Sequence, residues 1–289
     1  MTRYPVALPL GLLGLLGLLS QVGCHLGVRR SERDPVALGL VACQARLGSG
    51  VPARAGVDDS LQCLLDLSQE FPEDGRAHTR IARTLYERAL AFPDPSVDDL
   101  ASARSWALQC LALRPGVAAR LQGSGGLITT RVLAVVPASD AECVAWAAIS
   151  WAHWLHGRGV LGDAIDLEPV AALGKRAVEL APTLDRGRAF EAQGLGLAIV
   201  PVALGRDAAA AAGALGQARQ QAPDRLMTAV ETAELVYGPG GDTVAWERTL
   251  SAVVAAKGAG GGLDALEDAA AQARAQALLD QGPPPAETW

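Results

Sequence analysis

Trp146, Ser150, His153 and Gly157 follow one another at spacings of four, three and four, which places them on one face of a helix with Trp154 beside them. Large rings separated by the small Ser150 and Gly157 would leave a groove. Its apolar lining and few polar groups suit an apolar ligand with a polar head. The competing expectation is core packing, the usual fate of tryptophan and histidine on a helix. His153 and His156, three apart, are spaced to share a metal ion. No third histidine or carboxylate stands near them, and the chain has 4 histidines in all, so no metal site is expected. No G-x-S-x-G turn supports a hydrolytic triad. The glycines at 124–126 and 258–262 lack the lysine and preceding strand of a phosphate loop. The chain is therefore expected to have no catalytic residues and no cofactor.

Cysteine offers the other chemistry. Arg3 precedes an apolar run from Val6 to Leu19, too short and glycine-rich for a comfortable membrane span and matching a secretory core. It ends Ser20-Gln21-Val22-Gly23-Cys24. Small residues before a cysteine resemble the bacterial lipobox, in which the cysteine is acylated and becomes the mature N-terminus. An aliphatic residue usually stands where this chain has Gln21. The alternative is an ordinary signal peptide cut elsewhere, with Cys24 incidental. Lipidation at Cys24 would put the chain on the periplasmic face of the envelope, anchored in a lipid bilayer. His25, in place of an inner-membrane retention aspartate, favours the outer membrane. The remaining cysteines are Cys43, Cys63, Cys110 and Cys143, none at metal-finger spacing. An oxidising compartment permits disulfides. Of three pairings, Cys43–Cys63 with Cys110–Cys143 joins neighbouring helices. Four free, buried thiols are the alternative.

The elements that must position these residues read as helices. Of 289 residues, 50% are hydrophobic but only 4% aromatic, so alanine, leucine and glycine carry the apolar count. The net charge is −6, with no basic stripe, which argues against nucleic acid. Residues 1–23 form the signal peptide, 24–34 a polar tether, 35–281 the helical body and 282–289 a mobile tail. Helices are expected over Val36–Leu47, Arg76–Ala91, Cys143–His156, Leu167–Ala181, Arg225–Tyr237, Thr243–Ala256 and Leu263–Leu279, the last as a C-terminal capping helix. The acidic pairs Asp58-Asp59 and Asp98-Asp99 read as N-terminal helix charges. Helices end before Pro72, Pro115, Pro182 and Pro223, since proline cannot continue the ladder. These prolines are 43, 67 and 41 residues apart, more irregular than the 34 of tetratricopeptide repeats. The pattern predicts an all-α fold: a right-handed array of antiparallel helix pairs, a degenerate relative of that repeat.

Four ordered stretches carry a more specific likeness: W-A-L-Q-C-L-A-L-R-P-G-V-A-A-R-L, A-W-A-A-I-S-W-A-H-W-L, V-A-A-L-G-K-R-A-V-E-L-A-P-T-L-D-R-G and A-A-A-Q-A-R-A-Q-A-L-L. With the lipidation signal, they resemble the T component of TRAP-type transport systems, a family of TatT-like lipoproteins. The resemblance implies a membrane-tethered periplasmic accessory that binds a TRAP substrate-binding protein and a hydrophobic small molecule, without enzymatic activity. The alternative is a lipid-anchored scaffold for envelope proteins that binds no small molecule. Self-association into a homo-oligomer is left open.

Overall fold

The computed structural model describes residues 34–92, 96–158, 164–258 and 261–286. The signal segment, Cys24 and the tether as far as Arg33 lie outside the described residues, as do residues 287–289 of the tail. The chain divides into Met1–Asp34 and Pro35–Trp289, and the second unit carries every described helix.

Among the described residues there are thirteen α-helices and no strand. They are α1 (Pro35–Ala45), α2 (Arg54–Glu70), α3 (Gly75–Ala91), α4 (Ser96–Ala112), α5 (Pro115–Gly123), α6 (Thr130–Leu133) and α7 (Ala141–Arg158). Then come α8 (Leu167–Leu180), α9 (Arg188–Ala198), α10 (Ala208–Gln221), α11 (Leu226–Thr232), α12 (Thr243–Ala255) and α13 (Gly262–Gln281). The protein is all-α. None of its helices is long and apolar enough to cross a membrane, among the described residues.

Successive helices pack side by side from α1 to α4. The chain then inserts the short α5 and α6, and α4 packs on α7, followed in order by α8, α9 and α10. From Ala141 to Ala152 every residue of α7 except Glu142 is buried. A helix apolar on all sides has no face to give to water, so it sits at the centre, against α3, α4, α8 and α9. A second apolar cluster joins α11, α12 and α13 through Met227, Val230, Trp246, Leu250 and Ala271. The closing helix α13 also folds back onto α3. Its Leu266 packs with Leu47 and Val57.

Local chemistry sets the ends. Asp74, Asp207 and Asp242 accept bonds from the first-turn amides of α3, α10 and α12. Pro182 and Pro223 stand just beyond α8 and α10, as expected. Two details differ from the sequence reading. Pro115 does not stop α4, which ends at Ala112; it opens α5, where a missing N–H costs nothing. And α2 starts at Arg54, so Asp58 lies in its second turn rather than at its cap. Asp98 and Asp99 do lie in the first turn of α4, and Asp99 joins Asp58 on Arg88, with both its oxygens at 2.8 and 2.6 Å.

Two disulfides are present, Cys43–Cys63 tying α1 to α2 and Cys110–Cys143 tying α4 to α7. Elsewhere small residues set the spacing. A Cβ on Gly174 would meet Ala192 O at 2.5 Å, so the α8–α9 approach requires glycine there. Ahead of α9, Asp185, Arg186 and Gly187 all take left-handed backbone, with φ of 39, 51 and 103°. Two consecutive non-glycine residues in that region are costly, and the surrounding ion pairs hold them.

Candidate functional site

The stripe expected on α7 is real, and the structure splits it between two environments. Trp146 and Ser150 are core, with 1% and 0% exposure. Trp146 lies under the guanidinium of Arg188, 4.7 Å from its ring, and 5.5 Å from the ring of Tyr86. The Ser150 hydroxyl has no hydrogen-bond partner among the described residues. Trp154 turns to another side, where Arg104 and Arg158 stack on it at 4.5 and 4.8 Å. Only His153, with His156 and Gly157 beyond it, reaches a cavity.

That cavity has a volume of about 340 Å³, at the low end for small-molecule sites. Its walls are apolar: Leu90 from α3, Leu100 from α4, Leu195 from α9 with Ile199 just beyond its end, Met227 and Val230 from α11. Ala270 and Arg274 of α13 close one side. A larger depression of about 750 Å³ lies by the turn before α3. Arg76 pairs with Asp74 and Arg114 with Asp140 there, and Glu70, Glu73 and Glu142 add further carboxylates, so its lining is strongly charged. The α7 cavity is the better ligand site on that ground.

Its polar end is built from α7 and the α11 segment, with one side chain each from α3 and α13. His153 Nε2 lies 2.9 Å from Glu231 Oε1 and 3.2 Å from the Tyr86 hydroxyl. His156 Nε2 lies 3.2 Å from Glu234 Oε1, and Arg274 pairs with the same carboxylate. Glu234 belongs to a single wide π turn, Ala233–Tyr237, that continues α11. Burial, reinforced by Glu267, pushes the Glu231 carboxyl up to about 8. Burial, reinforced by His156, pushes the His153 imidazole down to about 4. At neutral pH the pair therefore holds one proton and no net charge. Burial would also raise Glu234, but hydrogen bonds from His156 and Arg274 outweigh it and hold the carboxyl at about 2. The floor of the cavity is neutral and hydrogen-bonding, and its rim is a closed ion cluster.

Behind the floor runs a buried charge network. Arg188, 1% exposed, donates to Glu191 at 2.6 Å and to both oxygens of Glu267 at 3.0 and 2.9 Å. Burial works to raise Glu267, but Arg188 holds that carboxyl well below its usual range. Burial raises Glu191 despite Arg188. Glu87, fully buried 3.5 Å from Arg83 Nε, is pushed far upward by burial and then by Glu267. Arg83 in turn pairs with Asp264. Through Glu267 and Asp264, this network fixes α13 to α9 and α3.

These carboxylates were absent from the sequence reading. The signal was present: Glu231 has Met227 four residues before it and Leu235 four after it, and Arg188 and Glu191 are three apart in an alanine-rich helix. Among the described residues, the cavity wall carries no nucleophile paired with a base, and Ser150 lies in the core. Among the described residues, no group of three or more His, Cys, Asp or Glu side chains is arranged to hold a metal ion.

A search of curated proteins found no match. The model of the TRAP transporter T-component family matches residues 60–283, from the middle of α2 to just beyond α13, well over half of the chain. The matched span contains the whole cavity and the charge network behind it. On that match, the chain belongs to the TRAP transporter T-component family, which points to an accessory part in a TRAP transport system.

Proposed function

We propose that this chain is the membrane-tethered periplasmic accessory of a TRAP system, which docks on a substrate-binding protein and holds an apolar ligand with a small polar head. The family match over residues 60–283 carries the reading. The 340 Å³ cavity supports its ligand half, because apolar walls end on a neutral His153–Glu231 pair that can both donate and accept. The proposed role is binding and delivery, not catalysis. Cys24 is the proposed lipid anchor on the periplasmic side.

The full chain purified from its native membranes tests this. Mass spectrometry should find a co-purified apolar molecule, and fatty-acid-like probes should change the tryptophan fluorescence. Neither result occurring would remove the ligand half. A TRAP substrate-binding protein from the same cells should co-purify; two chains that pass each other on a sizing column would remove the partner half. Cys24→Ser should release the chain to the soluble fraction, and unchanged membrane association would remove the anchor.

A further inference from the structure

The helix α1 has two apolar faces and only one of them is used. Val36, Leu40, Cys43 and Leu47 pack inward on α2 and its neighbours. Leu38, Val41, Ala42 and Ala45 follow at the spacing of one helical stripe, and all four are exposed, Leu38 by 51% and Val41 by 68%. The 11 residues of α1, PVALGLVACQA, contain no charge at all. A surface helix normally turns a polar face to water; this one turns a second apolar stripe.

Two further observations say what covers it. The first is chain length. Cys24 to Asp34 is 11 residues, which extend to roughly 36–40 Å at most. With Cys24 acylated, α1 is the first helix after the anchor in the chain and lies within that reach of the bilayer. The second is charge. The chain carries −6 overall, yet the stretch from Cys24 to Leu47 contains four arginines (Arg29, Arg30, Arg33 and Arg46) and only two acidic residues, Glu32 and Asp34. Beside the stripe, Val41 and Arg80 line one crevice of about 290 Å³. The Arg80 guanidinium has no partner among the described residues. Cations flanking an uncharged apolar helix match an anionic headgroup layer over acyl chains.

We infer that the outer face of α1 rests on an anionic lipid bilayer, with Leu38, Val41 and Ala45 at the headgroup–acyl boundary and Arg80 at the phosphates. This rests on the Cys24 anchor and adds a second attachment to it. A bilayer held at two places fixes the domain's orientation and not only its distance from the membrane.

The test uses the full acylated chain in mixed phosphatidylethanolamine–phosphatidylglycerol vesicles containing brominated phospholipid. An environment-sensitive fluorophore is placed on Val41→Cys and, separately, on Val244→Cys, a site on α12 that is 72% exposed. Flotation reports the anchor and quenching reports the face. The expected result is at least twofold quenching at 41 and none at 244. Adding Leu38→Asp and Ala45→Asp should abolish the quenching while the chain still floats. Equal quenching at both sites, or none at 41 in a floating chain, overturns the inference and leaves the anchor standing. If the chain does not float, the anchor has failed, and absence of quenching at millimolar lipid then overturns the face as well. A blue shift at 41 that grows with protein concentration without vesicles assigns the stripe to a second copy and overturns the inference.

Discussion

His153 Nε2 sits 2.9 Å from Glu231 Oε1 in the floor of the cavity. One turn along, His156 meets Glu234, and both contacts span the same sequence offset of 78. A repeated offset means that α7 and the α11 segment run in the same direction where they touch. The two rungs differ in charge: the inner one is neutral through burial, and the outer one is ion-paired with Arg274.

The inner rung gives stability a pH dependence with a definite sign. Glu231 rises from its ordinary 4.5 to about 8 on folding, so its contribution is full below pH 4.5 and is lost as pH climbs to 8. His153 falls from 6.5 to about 4, so its contribution is full above 6.5 and is lost as pH drops. Between 4.5 and 6.5 the two slopes oppose. Above 6.5 only Glu231 of this pair acts, and it accounts for a loss of about 2 kcal/mol by pH 8. Urea midpoints at pH 6.5 and 8 should show a smaller decline for Glu231→Gln than for the wild type. Equal declines would mean the pair holds no proton.

Arg188→Met should be among the most damaging single changes. It leaves Glu267 buried without its hydrogen-bonded counter-charge and Glu191 with Arg225 alone, 3.7 Å away, at a cost of about 3–5 kcal/mol. Adding Glu267→Leu removes the stranded carboxylate and should recover most of that loss. Urea unfolding of both variants checks it; a double variant no better than the single would show that the network does not act as a unit.

Two helical glycines, one on α8 and one on α10, should respond in opposite directions. Gly174→Ala drives a methyl into the backbone of Ala192 and should cost about 1–3 kcal/mol. Gly213 in α10 has nothing within 4 Å of a built Cβ, so Gly213→Ala should stabilise by about 0.5–1 kcal/mol. Thermal melts of the pair suffice.

Removing a disulfide releases a loop in the unfolded chain. The bridges close sequence separations of 20 and 33 residues, which on the chain-entropy scale correspond to about 3 and about 4 kcal/mol. Cys43→Ala with Cys63→Ala should lower the urea midpoint, and Cys110→Ala with Cys143→Ala should lower it further. A midpoint unchanged in either would show that its bridge does not stabilise the fold.

The sequence by itself determined the helical body. Periodicity placed most of the long helices, and proline marked the ends of α8 and α10, because propensity and stop signals are local properties of the chain. Local rules failed where a residue serves two possible ends: Pro115 opens α5 instead of closing α4, and Asp58 reaches across to Arg88 instead of capping α2. The α7 stripe was legible as a pattern, but its division was not. Trp146 and Ser150 are core while His153 lines a cavity, because Tyr86, Arg188 and Glu231 arrive from α3, α9 and α11, far away in sequence. Cysteine count left the pairing open, and the packing of α1 on α2 and of α4 on α7 decided it. The charge network is the sharpest case. Nothing local distinguishes Glu267 from a solvated glutamate; it is buried and ionised only because α13 folds back and brings it to Arg188, and a charge can be held in a low-dielectric interior only by its partner.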